Sequence, residues 1–192
     1  MLKMVKKLNL GCGRDYREGW INADFNKEVK ADMYLDLTQP LPFKDNEIDE
    51  ILLDNVLEHI QRDRFLEFVD ELWRITKPNG LINIYVPHFT GLTAFKHPTH
   101  YTYFGICTFG FMEATEKPGI NFSGERYNKA RFNIKERLMV LHHSSQNFGF
   151  MNKAVLPLNW FFNAGGHVWK MFWEKFNLFG FEEIRYELEV IK

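Results

Sequence analysis

The sequence predicts an α/β protein with an open, mostly parallel central sheet. Three observations predict it. Short apolar runs alternate with turn signals through the first half, the strongest amphipathic helix lies between two of those runs, and a Gly-x-Gly pair closes the first run. Strand, helix, strand in that order implies parallel neighbours with right-handed crossovers. A sheet of this kind carries its ligand at the C-terminal ends of its strands.

Lys7 to Leu10 reads as a buried strand that stops at Gly11, and Trp20 to Asp24 as a second. Ala31 to Asp36 is a short third, Glu50 to Asp54 a fourth, and Leu81 to Val86, rich in β-branched residues, a fifth. Between the last two, Phe65, Leu66, Val69, Leu72, Trp73 and Thr76 lie mostly on one helical face. Asp63 is the expected N-cap, and Pro78-Asn79-Gly80 the expected stop. Later, Phe132, Ile134, Leu138 and Val140 share one parity, as do Ile184, Tyr186, Leu188 and Val190. Both segments read as strands with one buried face, expected to form an antiparallel edge hairpin. Val168, Phe172 and Phe176 mark an amphipathic helix between them.

Length and composition set the class. A chain of 192 residues with 45% hydrophobic and 26% charged content has enough apolar surface for one domain. Its expected parts are a regular half, 1–88, an aromatic-rich insertion after the fifth strand, 89–180, and a final strand, 181–192. Net charge is −1, so no global basic footprint invites nucleic acid. Two cysteines, Cys12 and Cys107, make no disulfide framework, which points to a reducing compartment. No apolar h-region or bilayer-length run stands out; the expectation is a cytoplasmic protein.

Gly11-Cys12-Gly13 lets the backbone approach a ligand without Cβ interference. Asp24, ending the next strand, is placed to accept both hydroxyls of a ribose. The dinucleotide fingerprint needs a third glycine, but that position is Tyr16. Gly13 to Trp20 leaves room for only about two helical turns. No Walker Gly-Lys-Ser/Thr is present. The loop reads as built for a nucleoside without a phosphate chain.

Leu8-Asn9-Leu10-Gly11-Cys12-Gly13 resembles motif I of the class I S-adenosylmethionine-dependent methyltransferases. Three further segments follow that family's order: Leu41 to Asp49 (LPFKDNEID) before strand four, Asn55 to Ile60 (NVLEHI) after it, and Arg74 to Gly80 (RITKPNG) before strand five. The resemblance covers about Lys6 to His88. It implies a Rossmann-like class I methyltransferase fold with S-adenosylmethionine as cofactor and S-adenosylhomocysteine as product. It implies that Gly11, Cys12 and Gly13 pass the methionine half, that Asp24 binds the ribose and Phe25 lies against adenine. By the same resemblance Asp36 and Leu37 meet the adenine edge, and Asp54 or Asn55 stands near the ammonium and sulfonium. Asn9 replaces a more usual acid, Asn79 replaces a glycine, and the first helix is short. Cys12 reads as present for size rather than reactivity.

Methyl transfer from a sulfonium is an in-line displacement in which positioning supplies much of the rate. A base is needed only where the nucleophile carries a proton. His88 and His100 are the candidate catalytic residues, with His97 beside them; a similar dPtH segment follows strand five in small methyltransferases of this kind. Glu58 and His59 read as capping and packing groups of the next helix. His97-x-x-His100 and His142-His143 have suggestive spacings, but no Cys or carboxylate cluster accompanies them, so no metal is expected. Asp54-Asn55-Val56-Leu57 lacks the Asn/Asp-Pro-Pro-aromatic pattern of base amino-methylating enzymes, which argues against nucleic acid.

The reading is a methyltransferase acting on a small or medium-sized acceptor at oxygen or nitrogen. Its rival is a non-catalytic S-adenosylmethionine-binding partner or regulatory module; an aminopropyltransferase is a third option. The aromatic second half, Trp160 to Phe181, is expected to cover substrate, to fill the core, or to join a homodimer.

Overall fold

The computed structural model describes residues 5–114, 127–141, 157–176 and 180–192. His142-His143, Lys153 and Phe179 lie outside the described residues. Seven strands form one sheet: β1 (Lys7–Leu10), β2 (Ile21–Asp24), β3 (Met33–Tyr34), β4 (Ile48–Asp54), β5 (Thr76–Pro87), β6 (Arg131–Val140) and β7 (Glu183–Ile191). Their order is β3-β2-β1-β4-β5-β7-β6. The first five strands are parallel, and β7 runs antiparallel between β5 and β6. The mostly parallel sheet with an antiparallel edge pair is therefore present, although the two edge strands are joined by a long connection rather than a tight turn.

The β1–β2 connection differs from expectation. Among the described residues no helix, short or otherwise, lies between Leu10 and Ile21, only turns. Polar side chains take the helix's place. The Asn9 amide donates to the Asp15 carbonyl at 2.8 Å and to Asn22 Oδ1 at 3.2 Å. Asn22 Oδ1 also accepts from the Arg17 backbone N–H at 2.9 Å, and its amide donates to the Arg17 carbonyl at 2.9 Å and the Trp20 carbonyl at 3.1 Å. Asp32 Oδ2 accepts from the Asn22 backbone N–H at 2.7 Å. Backbone groups on the inner side of the half-exposed turn need partners, and two buried asparagines supply them. An acid at position 9 has no N–H to give the Asp15 carbonyl, which accounts for the amide there.

α1 (Arg62–Ile75) buries Phe65, Phe68, Val69, Leu72 and Ile75 against the sheet. Its N-cap is Gln61, not Asp63, which sits in the first turn where an acid suits the helix dipole. β5 begins immediately, at Thr76, so Pro78-Asn79-Gly80 lies within the span of the strand. The register shifts there, and Asn79 takes φ +61°. That is bulge geometry, and asparagine tolerates it.

β6 corrects the parity reading. Its register shifts between Ile134 and Glu136, so the inward face changes from Phe132 and Ile134 to Arg137 and Met139, and Leu138 turns partly outward. One extra residue in a period-two pattern moves every later side chain to the other face.

After β5 come α2 (Leu92–Lys96), then, later in the chain, a helical stretch at residues 157–163 (α3) and α4 (His167–Lys175). No helix of the described residues is long and apolar enough to cross a membrane. α4 buries no residue fully. Its tryptophans meet α3 edge-on: Trp173 packs against Phe161 and Phe162 with ring centroids 5.5 and 5.1 Å apart, and Phe162 packs against the buried Phe181 at 5.4 Å.

Candidate functional site

The C-terminal ends of β1, β2 and β4 meet at the glycine loop. Gly11 has φ +67°, and a Cβ there would stand 2.4 Å from Val56 Cγ2. Val56 follows β4 directly, so the close approach locks the glycine loop onto the end of β4. Gly13 has φ +50°, and a Cβ there would meet nothing within 4 Å. The backbone is thus tight on one side and open on the other.

Asp24 closes the loop. Its side chain is only 8% exposed. Oδ2 accepts from the Gly13 N–H at 2.7 Å, and Oδ1 accepts from the Asn26 N–H at 2.9 Å. A carboxylate offers about four acceptor positions, so both oxygens keep capacity for further donors. Phe25 beside it is 80% exposed, a bare ring at the mouth of the loop. Burial, with Asp24 next in importance, pushes the Cys12 thiol pKa up and keeps it protonated.

Asp36 caps its own turn: Oδ1 accepts from the Thr38 N–H at 2.9 Å and its hydroxyl at 2.8 Å. Those bonds hold its carboxyl below the ordinary range. Leu37 beside it packs partly against the core. Asn55 sits at φ +54°, its amide donating to Asp54 Oδ1 at 2.7 Å.

The segment after β4 holds what the sequence does not disclose. Leu57–His59 forms a 3-10 turn, not the cap of a longer helix. Glu58 is 1% exposed, and neither carboxyl oxygen has a hydrogen-bond partner among the described residues. Burial pushes its pKa up to about 8; Asp54 and Glu183 add to the rise, and its own backbone N–H offsets part of it. The Glu58 carbonyl accepts from the Tyr101 N–H at 2.7 Å. That bond docks the His97-Pro98-Thr99-His100 loop on the turn and gathers His59, His97 and His100 into one cluster, one ring nitrogen of each lying within 4.8 Å of the others. The 97-x-x-100 spacing is visible in the chain; His59 as its neighbour is not.

His88 stands apart. It is wholly buried, with Nδ1 against Thr90 Oγ1 at 2.8 Å and Nε2 against Glu174 Oε1 at 2.9 Å. Glu174 also accepts from the Ile106 N–H at 2.5 Å. No sequence signal points to Glu174. Beside it a cleft of about 400 Å³ is walled by Phe89, Phe95 and Tyr103, with Cys107 and Glu174 at its lining.

Residues 12–84 match the family model described as a methyltransferase domain. A search of curated proteins finds no match. Among solved structures, the chain is similar to a SAM dependent methyltransferase from Archaeoglobus fulgidus, with TM-score 0.56 and 19% identity over 96% of this chain and 86% of that one. It is similar to an S-adenosylmethionine dependent methyltransferase from Mesorhizobium loti, with TM-score 0.57 and 10% identity over 98% and 92%. Haemonchus contortus phosphoethanolamine N-methyltransferase 2, in complex with S-adenosyl-L-methionine, aligns at TM-score 0.50 and 15% identity over 100% of this chain and 50% of that one. The structural likenesses establish the fold as that of the class I methyltransferases. The family match, over residues 12–84, adds a methyltransferase-domain signature at the glycine-loop end of this fold.

Proposed function

We propose that the protein transfers the methyl group of S-adenosylmethionine to a small or medium-sized acceptor, at oxygen or nitrogen. The observation that carries the cofactor assignment is Asp24: a buried carboxylate, bonded to the Gly13 N–H, with acceptor capacity left beside an open backbone. In this reading Asp24 holds the ribose hydroxyls and Phe25 covers the adenine. Gly11, Cys12 and Gly13 pass the methionine half, with Asp54 and Asn55 near the ammonium. Asp36 and Leu37 border the adenine edge. Bound there, the cofactor supplies an electrophilic methyl on a sulfonium.

The chain's own part is to align, exclude water and accept a proton where the acceptor carries one. The aromatic cleft between Phe89, Phe95 and Tyr103 suits a small acceptor with a flat or apolar body, and the Glu174 carboxylate there favours one with a hydrogen-bond donor. His100 has Nδ1 against the Ala94 carbonyl at 3.1 Å, which leaves Nε2 with its lone pair for a proton. His88, with both nitrogens engaged, acts as a positioning residue that ties α4 to the end of β5 through Glu174.

Calorimetric titration with S-adenosylmethionine and S-adenosylhomocysteine tests the cofactor site. Micromolar binding of both is expected, weakened about ten- to hundredfold in Asp24→Ala, the range of a charged hydrogen bond. Unchanged affinity in that variant would refute the assignment. Tight binding with no turnover across a broad panel of hydroxyl and amine acceptors would favour the rival reading, a cofactor-binding regulatory module.

A further inference from the structure

We propose that His59, His97 and His100 form a binding site for a first-row divalent metal ion of the zinc class, with a fourth position open to solvent. The inference does not rest on the methyl-transfer reading, because it uses none of the cofactor residues.

Three features carry it. The first is convergence. One nitrogen from each ring lies within 4.8 Å of the other two. Tetrahedral Zn–N bonds of about 2.1 Å set ligand nitrogens about 3.4 Å apart. His59 and His97 are exposed and His100 is half-buried, so small ring rotations close the difference. Three imidazoles and an open position is the ligand count of a catalytic rather than a purely structural zinc site.

The second is the hydrogen bonding of Nδ1 in each ring. Metal-bound histidines fix their tautomer by donating the other ring N–H to an oxygen. Here His59 Nδ1 lies 3.2 Å from the Thr99 carbonyl and 2.8 Å from its hydroxyl. His100 Nδ1 lies 3.1 Å from the Ala94 carbonyl. A carbonyl only accepts, so in both rings Nδ1 carries the hydrogen and Nε2 keeps its lone pair. His97 Nδ1 lies 2.8 Å from the same Thr99 hydroxyl, which has a lone pair to accept from that ring when Nδ1 carries the hydrogen. One threonine hydroxyl thus meets Nδ1 of two rings of the trio.

The third is charge state. The rings stack and cross at centroid separations of 4.8 to 5.4 Å, and among the described residues no carboxylate is bonded to any of them. Neutral imidazole is the form that binds zinc, copper, nickel and cobalt. Proton acceptance by His100 and ion binding use the same lone pair and are alternatives at that atom.

The test is metal binding by the full chain without cofactor. Purified protein is stripped with chelator and titrated with zinc chloride by calorimetry, and with cobalt(II) chloride by visible absorption. One ion per chain is expected, with the intense absorption of tetrahedral cobalt. His97→Ala and His100→Ala, both in a loop, should each weaken zinc at least tenfold, and Thr99→Val about tenfold through loss of the orienting hydroxyl. The double variant His142→Ala/His143→Ala should bind as the wild type does. Absence of stoichiometric zinc binding overturns the site, as does binding that survives His97→Ala and His100→Ala. Loss of binding only in the His142→Ala/His143→Ala variant overturns it equally. Circular dichroism on each variant separates lost binding from lost fold. A titration with S-adenosylhomocysteine on the same samples distinguishes failure of the metal site from failure of the cofactor site.

Discussion

Two buried polar side chains of the first half have opposite circumstances. Asn22, fully buried on β2, has its amide and carbonyl engaged by Arg17, Trp20, Asn9 and Asp32. Glu58, as deeply buried after β4, has no hydrogen-bond partner for either carboxyl oxygen among the described residues. A buried polar group with its bonds made is scaffold. One without them costs stability and marks a place where the fold holds chemistry in reserve. The contrast separates a polar network that shapes the loop from a buried carboxyl whose bonds are not made.

A large expected effect tests the scaffold. Asn22→Ala strips partners from the Arg17 N–H, the Arg17 carbonyl and the Trp20 carbonyl at once. At about 1–3 kcal/mol for each buried group left unpaired, partly regained by water, the expected loss is roughly 3 kcal/mol in urea unfolding. A loss below about 1 kcal/mol would mean that water reaches the turn and that the asparagines are not its framework.

Glu58 gives a smaller effect with a distinct signature. Its folded pKa of about 8 lies above the ordinary value of 4.5, so its contribution to stability is full below pH 4.5 and is lost as pH rises through 8. His59 pulls the other way: its folded pKa is lowered, so below about pH 6.5 its protonation also destabilises the fold. The carboxylates with lowered pKa values, Glu47 and Glu71 among them, matter only as pH falls toward 4 and below. Between about pH 6.5 and 8 Glu58 is therefore isolated. At about 1.4 kcal/mol per pH unit, stability should fall by about 2 kcal/mol across that window in chelated protein, and Glu58→Gln should flatten the slope. An equal slope in the variant would show that the carboxyl finds a partner or water.

How much of this is legible in the sequence follows the same division. Strands β1, β2 and β4, helix α1 and the glycine loop announce themselves through period and turn chemistry, and Asp24 through its place at a strand end. The β6 parity is not legible, because a bulge adds one residue without a compositional mark. The missing first helix is only half legible: the spacing from Gly13 to Trp20 is short, but it does not exclude a helix. Nothing local says that Asn9, Asn22 and Asp32 replace the helix, since they meet only once β1, β2 and β3 are side by side. His59 joins the His97–His100 loop across 40 residues, and Glu174 reaches His88 across 86. Such pairings belong to tertiary packing, and no window of sequence contains them.

The two glycines of the loop sharpen the comparison with the smallest stability change. Gly11→Ala must accept a left-handed φ of +67° and a Cβ 2.4 Å from Val56 Cγ2. Strain of about 1–2 kcal/mol and overpacking of about 1–3 kcal/mol both apply. Gly13→Ala meets only the first cost, about 1–2 kcal/mol, because nothing lies within 4 Å of the added carbon. Yet that carbon would project into the open side of the backbone whose N–H bonds Asp24, where the cofactor is proposed to pass. Gly13→Ala should therefore lose only about 1–2 kcal/mol in urea unfolding and still bind S-adenosylhomocysteine at least tenfold more weakly. Wild-type affinity in Gly13→Ala, with stability lowered by the expected amount, would mean that the open face of the loop looks onto solvent. The methionine half would then have to lie on the side that Val56 already fills, which the 2.4 Å approach does not allow.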